Sequence, residues 1–245
     1  MWLSLFSKLF SKPELLDFSV LQTDMHSHFV PGIDDGAKDT ESTKNMLAGL
    51  KALGFSKFIT TPHIMPDVYE NKEATIEQLT AQLNATLNTN IIAAGEYYID
   101  ASFLNKIKND EHLLTFGENH ILIEVSMGMK EALLDAVIFE LTTRKYKPIL
   151  AHVERYVYMF DQGKLDYYQQ LKDADVLLQV NIRSFLGQYG EMPKKIARKL
   201  AVNNMIDYLG TDLHNEAQLP MIKDALNDAY IQNLLKGNTL KNNLL

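Results

Sequence analysis

Seven times over, this chain alternates between a short apolar run rich in β-forming residues and an amphipathic helical stretch. The runs lie at 20–25, 57–60, 91–95, 120–123, 148–151, 176–180 and 206–209. Helical periodicity fills the intervals: Thr40 to Leu53, Ala74 to Leu87, Ser102 to Lys108, Lys130 to Lys145, Lys164 to Ala174, Pro193 to Asn203, and Gln218 to Leu235. Met46, Leu47, Leu50 and Leu53, for example, form one apolar stripe at helical spacing. Strand–helix units in unbroken succession require parallel strands joined by crossover helices. A closed or distorted (β/α) barrel meets that requirement, and so does an open doubly wound sheet. No Gly-x-Gly-x-x-Gly follows any run, so a dinucleotide-binding fold has little support. No linker, repeat or low-complexity segment divides the 245 residues. The expectation is one domain over 18–245, preceded by a leader over 1–17.

Polar residues collect at the carboxyl ends of the runs. The first run leads into Asp24-Met25-His26-Ser27-His28, and the second ends Thr61-Pro62-His63. The later runs end in Gly95-Glu96, Ile123-Glu124, His152-Val153-Glu154-Arg155, Val180-Asn181 and Thr211-Asp212-Leu213-His214. Five of the seven histidines sit at these ends, whereas His112 and His120 do not and read as ordinary polar residues. In an extended strand, residues two apart face the same side, so His26 and His28 can address one point. Taken singly, each residue has a bland explanation. A lone His63 or His152 at a strand end is more often a hydrogen-bonding histidine than a ligand, and a lone Glu124 is often an ion-pair partner. Held jointly, imidazoles and carboxylates on the face where barrels carry their active sites read as a metal centre.

Composition narrows the chemistry. With no cysteine, the chain has no disulfide, no zinc–thiolate site and no thiolate nucleophile. A net charge of -7 makes a nucleic-acid backbone a poor partner. No apolar run approaches the ~20 residues that span a bilayer. Trp2, Leu3, Phe6, Leu9 and Phe10 fall at helical spacing beside Lys8 and Lys12, without the charged start and cleavage site of a secretory signal. This segment suits a helix capping the domain, a mobile leader, or peripheral membrane contact through residues 1–12.

Together these stretches, with Gly32-Ile33-Asp34-Asp35-Gly36, Tyr97-Tyr98, Tyr156 and Asn215, resemble the polymerase and histidinol phosphatase (PHP) family. Within it they are most similar to the bacterial manganese-dependent protein-tyrosine phosphatases of capsule and exopolysaccharide synthesis. The resemblance runs from residue 24 to about 215. It implies a distorted (β/α)7 TIM-like barrel and three divalent metal ions, manganese first, with iron or zinc as alternatives. By its pattern His26, His28, Glu96 and Asp212 hold one ion. Glu96 bridges to a second, also held by Glu124 and His152, and Asp35, His63 and His214 hold the third. A hydroxide shared between metals would attack phosphorus, with Arg155 binding the phosphoryl oxygens unless it pairs with Glu154 or another carboxylate. The implied substrate is a phosphotyrosine protein, a membrane-associated tyrosine kinase, met in the cytoplasm at the inner face of the membrane. The alternative is a small-molecule phosphatase such as histidinol phosphatase. One departure stands out: such tyrosine phosphatases usually carry a second arginine soon after the last ligand histidine. Here the stretch is His214-Asn215-Glu216-Ala217-Gln218-Leu219-Pro220. Arg183, past the sixth run, is either the compensating cation or a surface charge.

Overall fold

The computed structural model describes residues 15–160 and 163–245. Most of the expected leader therefore lies outside the described residues. Each apolar run becomes strand, and every strand pairing is parallel. The first run starts at the end of a 3-10 turn, Phe18–Val20, and only Thr23–Asp24 (β1) is extended. The second run is longer than expected. It forms Lys57–Thr60 (β2), breaks at Thr61-Pro62, and resumes as His63–Ile64 (β3). Proline cannot donate to a ladder, so the break falls where the pairing must skip. The third run forms Ile91–Ala93 (β4) and is followed, past its expected end at 95, by Glu96–Tyr98 (β5). His120–Glu124 (β6), Lys147–Leu150 (β7), Leu177–Asn181 (β8) and Tyr208–Gly210 (β9) complete the set. The hydrogen-bonded orders are β1-β2-β4 and β3-β5-β6-β7-β8-β9. Because β2 continues into β3 and β4 into β5, the two sheets form one curled surface.

The helices alternate with the strands, and acidic residues start several of them. Thr40–Ala52 (α1) is capped by Asp39, whose carboxylate accepts from the Ser42 amide at 2.8 Å. Glu73–Leu87 (α2) follows β3, and Ala101–Lys108 (α3) starts at Asp100, which caps the Phe103 amide at 2.7 Å. Leu134–Thr143 (α4) is four residues shorter at its start than the periodicity indicates. There the Glu131 carboxylate accepts from the Leu133 amide and holds a turn in place of a first helical turn. Asp166–Asp173 (α5) and Glu191–Val202 (α6) lie near expectation. The expected last helix is two, Leu219–Ala225 (α7) and Ala229–Lys236 (α8), because Asp228 caps the second through the Tyr230 and Ile231 amides.

The larger core packs strand faces against the helices. A smaller cluster of Met25, Ile59, Ala94, Leu122, Ile149, Ala151 and Tyr208, with Leu177 beside it, draws on all seven runs and fills the inside of the curl. The first and last strands meet through a parallel bridge, Ser27 to Leu213. The His28 amide donates to the Leu213 carbonyl at 3.0 Å and the Asp212 amide to the His26 carbonyl at 2.8 Å. This brings the two ends of the strand series to one place, and the strand-end side chains converge above it.

Candidate metal centre

All nine expected ligands gather at the carboxyl ends of the strands. Four sets of their ligand atoms each lie within 4.8 Å of one another: His28, Asp35, His63 and His214; His26, Glu96 and His152; His26, His28 and Asp212; and His63, Glu96 and Glu124. Glu96 belongs to two sets. One of its oxygens is 3.0 Å from His152 Nε2, and the other is 3.1 Å from His63 Nδ1 and 3.2 Å from His26 Nε2. Asp212 Oδ1 stands 3.5 Å from both His26 Nε2 and His28 Nε2. Asp35 Oδ1 faces His63 and His214 at 3.5 and 3.4 Å. His112 and His120 lie outside these groups. His112 pairs with Glu77 at the surface, and His120 packs against Phe116 and Tyr208 at the opposite strand ends.

The imidazoles are aimed by their other nitrogen. Nδ1 of His26 donates to Gln179 Oε1 at 3.1 Å, Nδ1 of His28 to Asp34 at 2.8 Å, and Nδ1 of His214 to the Asp212 carbonyl at 3.0 Å. Each therefore turns Nε2 inward, the arrangement that metal-binding histidines use. Gln179 Oε1 also accepts from the His152 amide at 2.7 Å, and Asn181 Nδ2 donates to Asp212 Oδ2 at 2.7 Å. Two of the eleven non-glycine residues with positive φ among the described residues lie here. His152 and Asp212 hold φ of 34° and 49°, a left-handed conformation that costs a β-carbon residue about 1–3 kcal/mol. Gly210 meets a separate demand: a β-carbon there would lie 2.7 Å from Gln179 Nε2 and 2.9 Å from the His26 β-carbon.

Burial opposes charge in this cluster, and the partners overcome it. Burial pushes the His28 imidazole down, but Asp34 and Asp212 together more than offset that and raise it to about 10. His63, between Glu96 and Glu124, is raised against its own burial to about 12. Burial pushes Glu96 and Asp212 up, yet the surrounding imidazoles hold both well below the carboxylate range. Asp34 is lowered to about 2, chiefly by His28 against its burial. At His152 burial prevails and the pKa falls. The carboxylates are thus held ionised in a dry site, which favours cations.

The donor set passes a direct test of fit for metal. Buried His26 Nε2, His28 Nε2, His63 Nδ1, His152 Nδ1, Glu96 Oε2 and Glu124 Oε1 have no hydrogen-bond partner among the described residues. Buried polar atoms are ordinarily satisfied; apart from His152 Nδ1, whose ring turns Nε2 to Glu96, these orphans face one another within the cluster, which fits cations.

Above the cluster lies a cleft of about 370 Å³ lined by ligands and by Arg155, Arg183, Tyr189, Met65 and Met127. Arg155 does not pair with Glu154. Glu154 is buried and accepts from Ser184 Oγ and the Asn181 amide, whereas Arg155 lies 3.7 Å from Asp212 Oδ2. Arg183 is not a surface charge, being 2% exposed with its guanidinium donating to the Asp212 carbonyl at 2.7 Å. Sequence reasoning missed Gln179, Tyr189 and the buttressing role of Asp34. The available signal for Gln179 was a polar residue inside an apolar strand, two before Asn181 and so on the same side.

A family model described as capsular polysaccharide synthesis, CpsB/CapC, matches residues 22–241. CapC of Staphylococcus aureus is 27% identical over 218 residues, spanning 85% of this chain and 84% of that protein. YwqE of Bacillus subtilis (strain 168), named a tyrosine-protein phosphatase, is 26% identical over 197 residues, spanning 78% and 77%. A crystal structure from work on YwqE of Bacillus subtilis and CpsB of Streptococcus pneumoniae, described there as metal-dependent tyrosine phosphatases, matches with a TM-score of 0.73. That match has 23% identity, covers 89% of this chain and 92% of the other, and carries the fold.

Proposed function

This chain belongs to the CpsB/CapC family of capsular polysaccharide synthesis, and from that premise we propose that it is a metal-dependent phosphotyrosine-protein phosphatase. The observation that carries the reading is the set of orphaned buried ligand atoms converging beneath an arginine-bearing cleft. We assign His26, His28, Glu96 and Asp212 to one divalent ion. Glu124 and His152 share a second with Glu96, and Asp35, His63 and His214 take a third. Hard carboxylate and borderline imidazole donors without sulfur suit manganese, and the same set accepts iron or zinc. Bound there, such ions supply Lewis acidity toward phosphoryl oxygens and make water acidic enough to lose a proton near neutral pH.

The chain's own residues do the remaining work. Asp34 and Gln179 fix the imidazole tautomers, and Asn181 fixes Asp212. Arg155 offers planar, paired donors that match two phosphoryl oxygens and offset the charge that grows on them in the transition state. The inner cluster drawn from all seven runs and the Ser27–Leu213 bridge support reading the curl as a distorted (β/α)7 barrel over 18–245. Among the described residues no helix is long and apolar enough to cross a membrane. The family's link to capsule synthesis favours as substrate a membrane-associated tyrosine kinase of polysaccharide export, met in the cytoplasm at the inner face of the membrane, where residues 1–12 would make peripheral contact.

A kinetic panel tests the reading. The manganese-loaded protein should hydrolyse phosphotyrosine peptides with a kcat/KM at least ~100-fold above that for histidinol phosphate, a gap of about 3 kcal/mol. Preference for histidinol phosphate would reassign the site to small-molecule hydrolysis.

A further inference from the structure

The cleft over the ligand cluster holds Arg155 and Arg183. Its two arginines behave differently, and a tyrosine stands between them. Arg183 is buried, and its Nε and Nη2 are committed: Nη2 to the Asp212 carbonyl at 2.7 Å and the Tyr189 hydroxyl at 2.8 Å, and Nε to the Thr211 carbonyl at 3.4 Å. Three of its five N–H donors thus hold it in place. Arg155 is the opposite case. Its side chain is 28% exposed, and among the described residues its carboxylate neighbour is Asp212 at 3.7 Å, beyond hydrogen-bond length. A long side chain held so loosely would lose rotamer entropy on every binding event unless something else fixed it.

Tyr189 supplies that fixing. Arg155 Cζ lies 4.5 Å from the centre of the Tyr189 ring, and Arg183 Cζ lies 5.5 Å from it. The ring is itself held. Its hydroxyl accepts from Arg183 and from Asn181 Nδ2 at 3.3 Å, and donates to Asp212 Oδ2 at 3.2 Å. The residue rides on a turn flanked by Gly187 and Gly190, with φ of 86° and 101°. Such a turn requires glycines, and it lets Tyr189 reach back over the strand ends.

We infer that Tyr189 is a positioning residue, a platform that holds the Arg155 guanidinium over the ligand cluster so that it can grip a phosphoryl group. The chain of support runs from the Asp212 backbone through Arg183 to the Tyr189 hydroxyl, and from the ring face to Arg155. Arg183 therefore meets the absence of an arginine after His214 indirectly, by locking the platform of the arginine that remains. The inference rests on the phosphatase reading of the cleft.

The test measures inorganic phosphate binding to manganese-loaded protein by calorimetry, alongside kcat and KM on a phosphotyrosine peptide and metal content by elemental analysis. The variants are Tyr189→Leu, Tyr189→Phe, Arg155→Ala and the double variant Arg155→Ala/Tyr189→Leu. Losing a partly desolvated cation–π platform should weaken phosphate binding roughly 5- to 30-fold in Tyr189→Leu. Metal content should be unchanged, and Tyr189→Phe, which keeps the ring face but loses the hydroxyl tie to Arg183 and Asp212, should recover part of the affinity. In the Arg155→Ala background, Tyr189→Leu should cost almost nothing further, because its partner is already gone. Full additivity, wild-type phosphate affinity in Tyr189→Leu, failure of Tyr189→Phe to recover affinity, or metal loss that accounts for the defect would each overturn the inference. Because phosphate binding is read without turnover, a protein that binds phosphate but spares phosphotyrosine would refute the substrate reading and leave the platform to be judged on its own.

Discussion

Glu96 is fully buried, and each of its carboxylate oxygens faces a different set of imidazoles. Glu96→Gln keeps the shape and removes the charge that both proposed ions share. Turnover on a phosphotyrosine peptide should fall by roughly 1000-fold or more, with metal content reduced and far-ultraviolet circular dichroism unchanged. Near-normal turnover would end the bridging assignment. His120 permits a second test, away from the cluster. Burial is the main cause that holds its pKa below the ordinary value of 6.5, so the folded state prefers the neutral ring. A lowered folded pKa means that its contribution is present above 6.5 and is lost as pH falls from there through the folded value. His120→Gln should therefore lose less stability than the parent between about pH 7.5 and about pH 5.5, measured by urea unfolding. An identical loss in both proteins would show that His120 does not titrate in that window. At this scale the ligands other than Asp35 were legible because each is a metal-binding residue type just past a β-rich run, whereas Asp35 came only from the family resemblance. Gln179 and Tyr189 were not, since a glutamine or tyrosine has no chemistry that marks it, and only the fold reveals what it touches.

At the scale of elements, the seam between β1 and β9 is the least regular part of the sheet. Besides the Ser27–Leu213 bridge, side chains stitch it. Asp24 accepts from the Thr211 amide at 3.1 Å and hydroxyl at 2.7 Å. Nearer the amino ends, fully buried Asn242 donates to the Thr23 carbonyl at 3.1 Å and the Leu209 carbonyl at 2.7 Å, and accepts from the Leu209 amide at 3.0 Å. The last residues of the chain thus stand in for strand pairing. Asn242→Ala should destabilise the fold by about 3 kcal/mol, because it strands three buried backbone groups at once. Chemical denaturation reads this directly, and a loss below about 0.5 kcal/mol, the range of ordinary surface changes, would contradict the stitching role. Periodicity located every strand run and helix but missed such stitching, which pairs Asn242 with residues 33 and 219 positions away. It also ran one helix through Asp228, since an apolar stripe continues across a break that a capping side chain makes.

For the whole molecule, the order of strand-end residues along the sequence is also their order around the curl, because parallel strands with crossover helices bring every carboxyl end to one face. That is why a ligand set spread from His26 to His214 was readable from the sequence as a single centre. That Gln179 aims His26 and Asn181 holds Asp212 was not readable, because those contacts cross between units, whereas Asp34 aims His28 from only six residues away. On the proposed function, this centre is a divalent-metal catalyst for phosphotyrosine hydrolysis. The decisive measurement follows hydrolysis of one phosphotyrosine peptide by the same preparation before chelation, after exhaustive chelation confirmed by elemental analysis, and after manganese is restored. Activity should be present, fall to below roughly one part in 1000, then return. Undiminished hydrolysis by protein shown to hold no metal would contradict the proposed function.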